Sequence, residues 1–181
     1  MEDFIREWGY VALFLYSFGG GFVGLVIAGV LSFAGDLNLY ISIMVAICAN
    51  FLGDQFLFFI ARSNKAYAKG MMKNYGRKIA LAHVMMRKYG SLVVFIQKYI
   101  YGIKTLIPLA MGLTKYSYFK FSILNIFATI IWGLVVGFAS FKAGEYILST
   151  ADDFKYVGLG IVVVVLLAVS YLFKRIDKKK N

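Results

Sequence analysis

The chain has 181 residues, of which 61% are hydrophobic and 18% aromatic, and its formal net charge is +11. A soluble domain is about 45–50% apolar, so this composition predicts an integral membrane protein. The single cysteine, Cys48, excludes an intramolecular disulfide framework and a cysteine-based zinc site. Because no linker-like stretch divides the chain, we expect one membrane domain that covers residues 1–181.

The charge is unevenly distributed. Between Gln55 and Gly144 there is no Asp or Glu, whereas thirteen Lys or Arg fall in that interval. The positive-inside rule explains such an excess in cytoplasmic loops, and binding of anionic lipid headgroups is the alternative explanation. Nucleic acid is not expected as a partner, because the basic residues alternate with apolar runs of bilayer length.

The first apolar stretch, residues 8–35, contains the triplet Gly19, Gly20 and Gly21. Its length would suffice for one bent spanning helix, which needs about 20 residues. Three adjacent glycines favour a break instead, since glycine tolerates backbone conformations that end a helix. We therefore predict two short helices that flank the triplet.

The next stretch, residues 39–61, is preceded by a turn with Asn38 as helix cap and has the length of a transmembrane helix. Asn50, Asp54, Phe58 and Arg62 recur every four residues and therefore share one helical face. Asp54 is the only carboxylate well inside a predicted span. Either a lysine of another helix neutralises it for structural reasons, or it couples protons or ions to transport. Both interpretations place it against the lysine-bearing segment described below.

Residues 63–90 are predicted to form a basic amphipathic helix or helix pair at the cytoplasmic interface. Lys65, Lys69, Lys73 and Arg77 form a stripe with a spacing of four residues. The only histidine, His83, lies in this region, outside the predicted spans.

Residues 92–113 are apolar but contain Lys98 and Lys104. A charge at membrane depth costs at least about 2.5–3.5 kcal/mol, so both lysines should face a cavity. Gly102, Pro108 and Gly112 are candidate backbone breaks, and a broken segment at membrane depth is tolerated where it lines a cavity. We predict a re-entrant hairpin with a cationic tip.

The second full span is predicted at residues 118–141. Gly133 and Gly137 on one of its faces form a G-x-x-x-G helix contact, and Asn125 on the same stripe is a candidate for facing the cavity. A polar connector and a last span at 156–173 follow, and the basic tail is expected in the cytoplasm. The predicted fold is an all-α polytopic membrane protein with two broken segments, each followed by a span, as in transporters built from two repeats.

Several short motifs occur in a specific order over residues 10–141. They are Gly53-Asp54 with Arg62, Tyr89-Gly90, the run from Lys98 to Thr105, Pro108 with Gly112, Asn125, and Trp132-Gly133. In this order and spacing they resemble the DedA family of bacterial membrane proteins, also called the VTT or SNARE-associated domain family.

The chain departs from the family pattern at five positions. Two family arginines correspond to Lys98 and Lys104, a proline between them to Tyr101, and two acidic residues of the first broken segment to Tyr16 and Phe22. Lysine keeps the charge but lacks the planar, bidentate fork of arginine, so headgroup selectivity is expected to differ. Without the family acids, Asp54 is the remaining candidate for proton coupling.

The resemblance implies transport of a phosphate-bearing lipid, such as undecaprenyl phosphate or phosphatidylethanolamine, across the bacterial inner membrane. The expected substrate contacts are Lys98, Lys104, Tyr101, Gly102, Thr105 and Asn125, with no catalytic residue, metal or cofactor. The alternatives are an ion- or proton-coupled antiporter and a non-transporting membrane scaffold. A lipid phosphatase would need convergent acid, base or metal-binding groups, which one histidine and one intramembrane aspartate do not supply. The sequence does not predict the oligomeric state.

Overall fold

The computed structural model describes residues 2–73, 76–100 and 104–149. Within these ranges the chain is all-α, as predicted, and contains no strand. Two 3-10 turns, Gly90–Leu92 and Gln97–Tyr99, flank the short helix α6. The helices are α1 Glu2–Gly19, α2 Phe22–Ala34, α3 Leu39–Ser63, α4 Lys65–Met72, α5 Gly76–Tyr89, α6 Val93–Ile96, α7 Leu106–Leu113 and α8 Tyr118–Ser149. The predicted span at 156–173 and the residues Tyr101 and Gly102 lie outside the described residues.

The glycine triplet separates α1 from α2, as the sequence predicts. Gly20 has φ 148° and Gly21 has φ 42°, which are conformations that residues with a Cβ rarely adopt. A Cβ on Gly21 would also collide with the Ser17 backbone. The chain therefore doubles back at this point, and α2 returns alongside α1.

Helix α3 is the central element. Its start is fixed by the predicted cap, because the Asn38 side chain accepts hydrogen bonds from the backbone nitrogens of Tyr40 and Ile41 at 3.0 and 3.1 Å. Helix α8 runs antiparallel to α3: Gly137 lies against Ile43, and Gly133 against Ile47. The predicted glycine contact is thus used to bring α8 close to α3.

Helix α8 continues to Ser149, eight residues beyond the predicted end of the span at 141. The polarity of the following residues suggested a connector, but polar residues without a proline do not end a helix. Lys142 and Glu145, three residues apart, form an exposed ion pair of 2.6 Å on this extension. Gly144 also packs against Val30 of α2.

The α1–α2 pair approaches the middle of α3 from the N-terminal end of that helix. There the Tyr10 hydroxyl accepts a hydrogen bond from the Asn38 backbone nitrogen at 2.8 Å. At the other end of α1, the Phe18 carbonyl lies directly against Gly53. Gly53 is fourteen residues after Leu39, about 21 Å along the helix. The glycine turn therefore lies beside the middle of α3.

The second broken segment approaches from the opposite end of α3. Ser91 shares a 2.7 Å hydrogen bond with Tyr116, in the connection that precedes α8. Gly112 of α7 packs against Phe58 in the C-terminal half of α3. The turn between α6 and α7 reaches back to the middle of α3, so the turns of the two broken segments meet there.

Pro108 and Gly112 do not break a helix, contrary to the sequence prediction. Pro108 lies in the first turn of α7, where a backbone N–H has no intrahelical acceptor, so proline costs nothing there. Gly112 lies inside α7, and a Cβ on it would be 2.5 Å from the Phe58 carbonyl oxygen. Its role is close packing of α7 on α3, and the break precedes α7.

Three helical stretches of the described chain are long and apolar enough to cross a membrane: Leu39–Ser63, Ile79–Tyr99 and Tyr118–Ile147. The first and third agree with the predicted spans. The second begins inside α5, so the apolar stretch starts earlier than the predicted boundary between the amphipathic region and the hairpin. On α4, Lys65 and Lys69 are exposed while Ala68 is buried, in agreement with an amphipathic helix.

Candidate functional site

Lys98 lies at the turn of the second broken segment and is 3% exposed. Its ammonium group donates three hydrogen bonds, to Asp54 Oδ2 at 2.5 Å, Asn50 Oδ1 at 2.7 Å and Thr129 Oγ1 at 3.0 Å. Lysine has three donors, so this geometry uses all of them. Lys98 therefore ties the turn to α3 and α8 together.

The polar partners of Lys98 follow from helical spacing. Asn50 and Asp54 are one turn apart on α3 and present one face to the lysine. On α8, the Thr129 hydroxyl donates to the Asn125 carbonyl at 2.6 Å and so turns its lone pairs toward Lys98. Asp54 is 3% exposed, which makes this a buried ion pair. The expectation that Asp54 faces the lysine-bearing segment agrees with this arrangement.

Lys104 has different surroundings. Its ammonium group donates to the Gly20 carbonyl at 2.8 Å and lies 5.2 Å from the centre of the Trp132 ring, a cation–π distance. Within the described residues no carboxylate lies in ion-pair contact with it. Lys104 thus links the turns of the two broken segments, and no described carboxylate contacts its ammonium group directly.

A cavity of about 520 Å³ lies between these two turns, and we call it the cationic cavity. It contains both lysines and Thr105, three of the residues predicted to contact substrate. It also contains Tyr16 and Phe22, the positions that the resemblance aligns with two acids. The lining residues are Leu15, Tyr16, Gly19, Gly20, Gly21, Phe22, Lys98, Tyr99, Ile100, Lys104 and Thr105.

Arg62 does not pair with Asp54, although both lie on one face of α3. Its guanidinium donates to the Gly112 carbonyl at 3.1 Å and to the Tyr116 carbonyl at 2.5 Å. Two helical turns separate Arg62 from Asp54, about 12 Å along the axis, so sharing a face does not bring the charges together. Arg62 instead fixes the end of α7 to the end of α3.

Asn125 is buried beside Thr129 and does not line the cationic cavity. Its side-chain nitrogen and that of Asn50 have no hydrogen-bond partner within the described residues. These two amide donors belong to the network around Lys98. Tyr101 and Gly102, also predicted to contact substrate, lie outside the described residues.

Three groups of the site were not predicted from the sequence: the Gly20 carbonyl, the Thr129 hydroxyl and the Trp132 ring. Thr129 could have been found, since it lies four residues before Gly133 on the stripe that packs against α3. The carbonyl and the ring carry no sequence signal for contact with a lysine. No group of three His, Cys, Asp or Glu side chains in the described ranges could hold a metal ion.

Comparisons with known proteins agree with the motif pattern. The family model described as VTT domain matches residues 5–142. Inner membrane protein YohD of Escherichia coli is 25% identical, over 99% of this chain and 96% of its own length. Undecaprenyl phosphate transporter A of Staphylococcus aureus is 26% identical, over 97% and 96% respectively. No solved structure matches the chain.

Proposed function

Because the chain belongs to the VTT domain family, also known as the DedA family, we propose that it carries a phosphate-bearing lipid across the bacterial inner membrane. One relative is named an undecaprenyl phosphate transporter and another an inner membrane protein. These names describe transport and membrane location rather than an enzyme. Undecaprenyl phosphate is accordingly the first substrate to test.

The observation that carries the proposal is the ammonium group of Lys104, which lies in the cationic cavity without a direct ion-pair partner among the described residues. Its contacts are a carbonyl and an aromatic ring, both of which a phosphate oxygen can replace or supplement. Hydrogen bonds between charged groups are about twice as strong as neutral ones, so a phosphate would gain from this site. Only the headgroup has to enter the polar part of the cavity, while the hydrocarbon tails of the lipid stay in apolar surroundings.

Lys98 has a different role in this proposal. Since Asp54, Asn50 and Thr129 already use its three donors, it holds the turn in position and shapes the cavity wall. In this proposal the two lysines, both expected to contact the substrate, have separate roles: Lys98 positions the turn and Lys104 binds the phosphate.

The proposed topology has two re-entrant hairpins that enter from opposite sides of the membrane. Residues 63–90 and the C-terminus are assigned to the cytoplasm by the positive-inside rule. Helices α1 and α2 then enter from the other side, and the segment of α6 and α7 enters from the cytoplasm. A cavity where such turns meet is the arrangement expected for alternating access.

Proton-coupled transport is a second candidate, and the observation that favours it is the position of Asp54. Protonation of this carboxylate would remove the charge that holds Lys98, a residue in the wall of the cavity. Coupling predicts that a proton gradient accelerates transport by the parent but not by Asp54→Asn. Equal acceleration of both would exclude Asp54 as the coupling group.

The test uses liposomes that contain the purified protein and fluorescent undecaprenyl phosphate. Lys104→Gln is expected to lower the transport rate at least tenfold, and Lys104→Arg is expected to retain it, because arginine also binds phosphate. Lys142→Gln removes an exposed lysine and serves as the matched control. Parental transport by a folded Lys104→Gln variant would refute the phosphate site and favour the scaffold alternative.

A further inference from the structure

A second cavity, of about 630 Å³, lies between α1 and α2, and we call it the apolar groove. All side chains that line it are apolar or aromatic; Trp8, Leu13, Val23, Ile27 and Leu37 are examples. Several of these, including Trp8 and Ile27, are also substantially exposed, so the groove opens to the outside of the protein. In the proposed topology this side of the α1–α2 hairpin faces the bilayer.

The apolar groove adjoins the cationic cavity, because Leu15 and Tyr16 line both. Tyr16 marks the boundary. Gly24 of α2 lies against its ring, and a Cβ on Gly24 would be 2.7 Å from Tyr16 Cδ1. The glycine thus gives the Tyr16 ring room to pack against α2 between the two cavities.

We propose that the apolar groove holds the hydrocarbon chain adjoining the phosphate that Lys104 binds, so that the two cavities form one lipid site. This inference rests on the proposed function and adds a second part to its site. The cationic cavity lies next to the apolar groove, just as the phosphate of a lipid lies next to its hydrocarbon chain. Neither an inorganic ion nor a soluble metabolite would need both.

The groove contributes to the affinity through packing contacts, which also orient the chain, rather than through the hydrophobic effect. A hydrocarbon chain in the bilayer is already in apolar surroundings, so its transfer to the groove brings no hydrophobic gain. Packing against α1 and α2 instead sets the direction in which the chain leaves the headgroup. Tyr16 and Gly24 at the boundary would then determine which chain shapes enter.

The first experiment compares two probes that share a phosphate but differ in chain length. Undecaprenyl phosphate occupies both cavities, whereas butyl phosphate reaches only the cationic cavity. Ile27→Trp, which fills the groove, is expected to weaken binding of undecaprenyl phosphate at least tenfold and to change binding of butyl phosphate less than twofold. Leu52→Trp adds the same bulk at an exposed position of α3 outside the groove and should change neither. Binding is measured on detergent-purified protein that elutes as a single species.

The possible outcomes distinguish a failure of the groove inference from a failure of the proposed phosphate site. Equal weakening of both probes by Ile27→Trp, or no weakening of either, would overturn the role of the groove. Lys104→Gln should weaken both probes, and unchanged binding of butyl phosphate in this variant would instead refute the proposed function.

A second measurement covers the possibility that Ile27→Trp does not fold. A photo-crosslinking amino acid at Val11, which lines the groove, should attach to undecaprenyl phosphate in liposomes. The same group at Met44, exposed on α3 away from the groove, gives the background of free lipid. Crosslinking at Val11 no higher than at Met44 would also overturn the inference.

Discussion

The buried pair of Lys98 and Asp54 gives the sharpest test of the architecture. We consider Lys98→Gln, Asp54→Asn and the double variant, each of which removes one or both charges with little change in volume. Among the described residues, the side chain of Asp54 accepts a hydrogen bond from Lys98 alone. Lys98, in contrast, also donates to Asn50 and Thr129. The two single substitutions should therefore have unequal effects.

The expected magnitudes follow from what each substitution leaves behind. Lys98→Gln leaves a buried carboxylate without its cation, which costs about 3–5 kcal/mol of the free energy of unfolding. Asp54→Asn leaves an ammonium group that keeps neutral acceptors, so we expect a smaller loss of about 1–3 kcal/mol. The double variant removes both charges. It should be more stable than the sum of the single effects predicts, by about 1–3 kcal/mol.

The assay is unfolding of the purified protein by sodium dodecyl sulfate in mixed micelles, followed by tryptophan fluorescence. The exposed pair of Lys142 and Glu145 is the matched control, since exposed pairs contribute little to stability. Neutralising either Lys142 or Glu145 should leave the sodium dodecyl sulfate concentration at the unfolding midpoint unchanged. Additive effects at Lys98 and Asp54, or an Asp54→Asn variant less stable than Lys98→Gln, would refute the described contacts.

Three further predictions concern packing and topology. Gly112→Ala should lower stability by about 1–3 kcal/mol because its Cβ would meet the α3 backbone, whereas Gly70→Ala, in open space on α4, should be neutral or stabilising in the same unfolding assay. Arg62→Ala should lower the free energy of unfolding by about 1.5 kcal/mol, since the carbonyls of Gly112 and Tyr116 lose their donor. An unchanged unfolding midpoint would contradict those hydrogen bonds. In a variant without Cys48, a cysteine introduced by Lys69→Cys should not react with a membrane-impermeant thiol reagent in intact cells. Labelling of this cysteine would show that the region lies outside the cytoplasm.

Local features of the fold could be predicted from the sequence. The break at Gly20 and Gly21 and the cap at Asn38 depend on the conformations of the residues themselves. The packing face of Gly133 and Gly137 depends on spacing along one helix. Each of these signals lies within a few residues of the structure it determines, which explains the agreement.

Long-range choices could not be predicted in the same way. Helical spacing places Asp54 and Arg62 on one face of α3, but the crossing positions of other helices decide which partner each one meets. Asp54 meets Lys98, 44 residues away, and Arg62 meets backbone carbonyls of residues 112 and 116. Pro108 was misjudged for a related reason: its effect depends on its position within a helix, and the start of α7 was not evident.

The two lysines also show why charge alone does not assign function. They lie six residues apart in one segment, yet Lys98 is neutralised by Asp54 and Lys104 is not. Tyr16 and Phe22, which the motif resemblance places opposite two acids of the family pattern, line the cavity that contains Lys104. Acidic side chains there would compete with any anionic ligand for the lysine. Because aromatic residues occupy both positions, no carboxylate of the described residues lines the cavity. An anionic ligand would therefore meet no competing acid in the cavity wall. A lipid phosphate, whose hydrocarbon chain has an apolar groove beside it, is such a ligand.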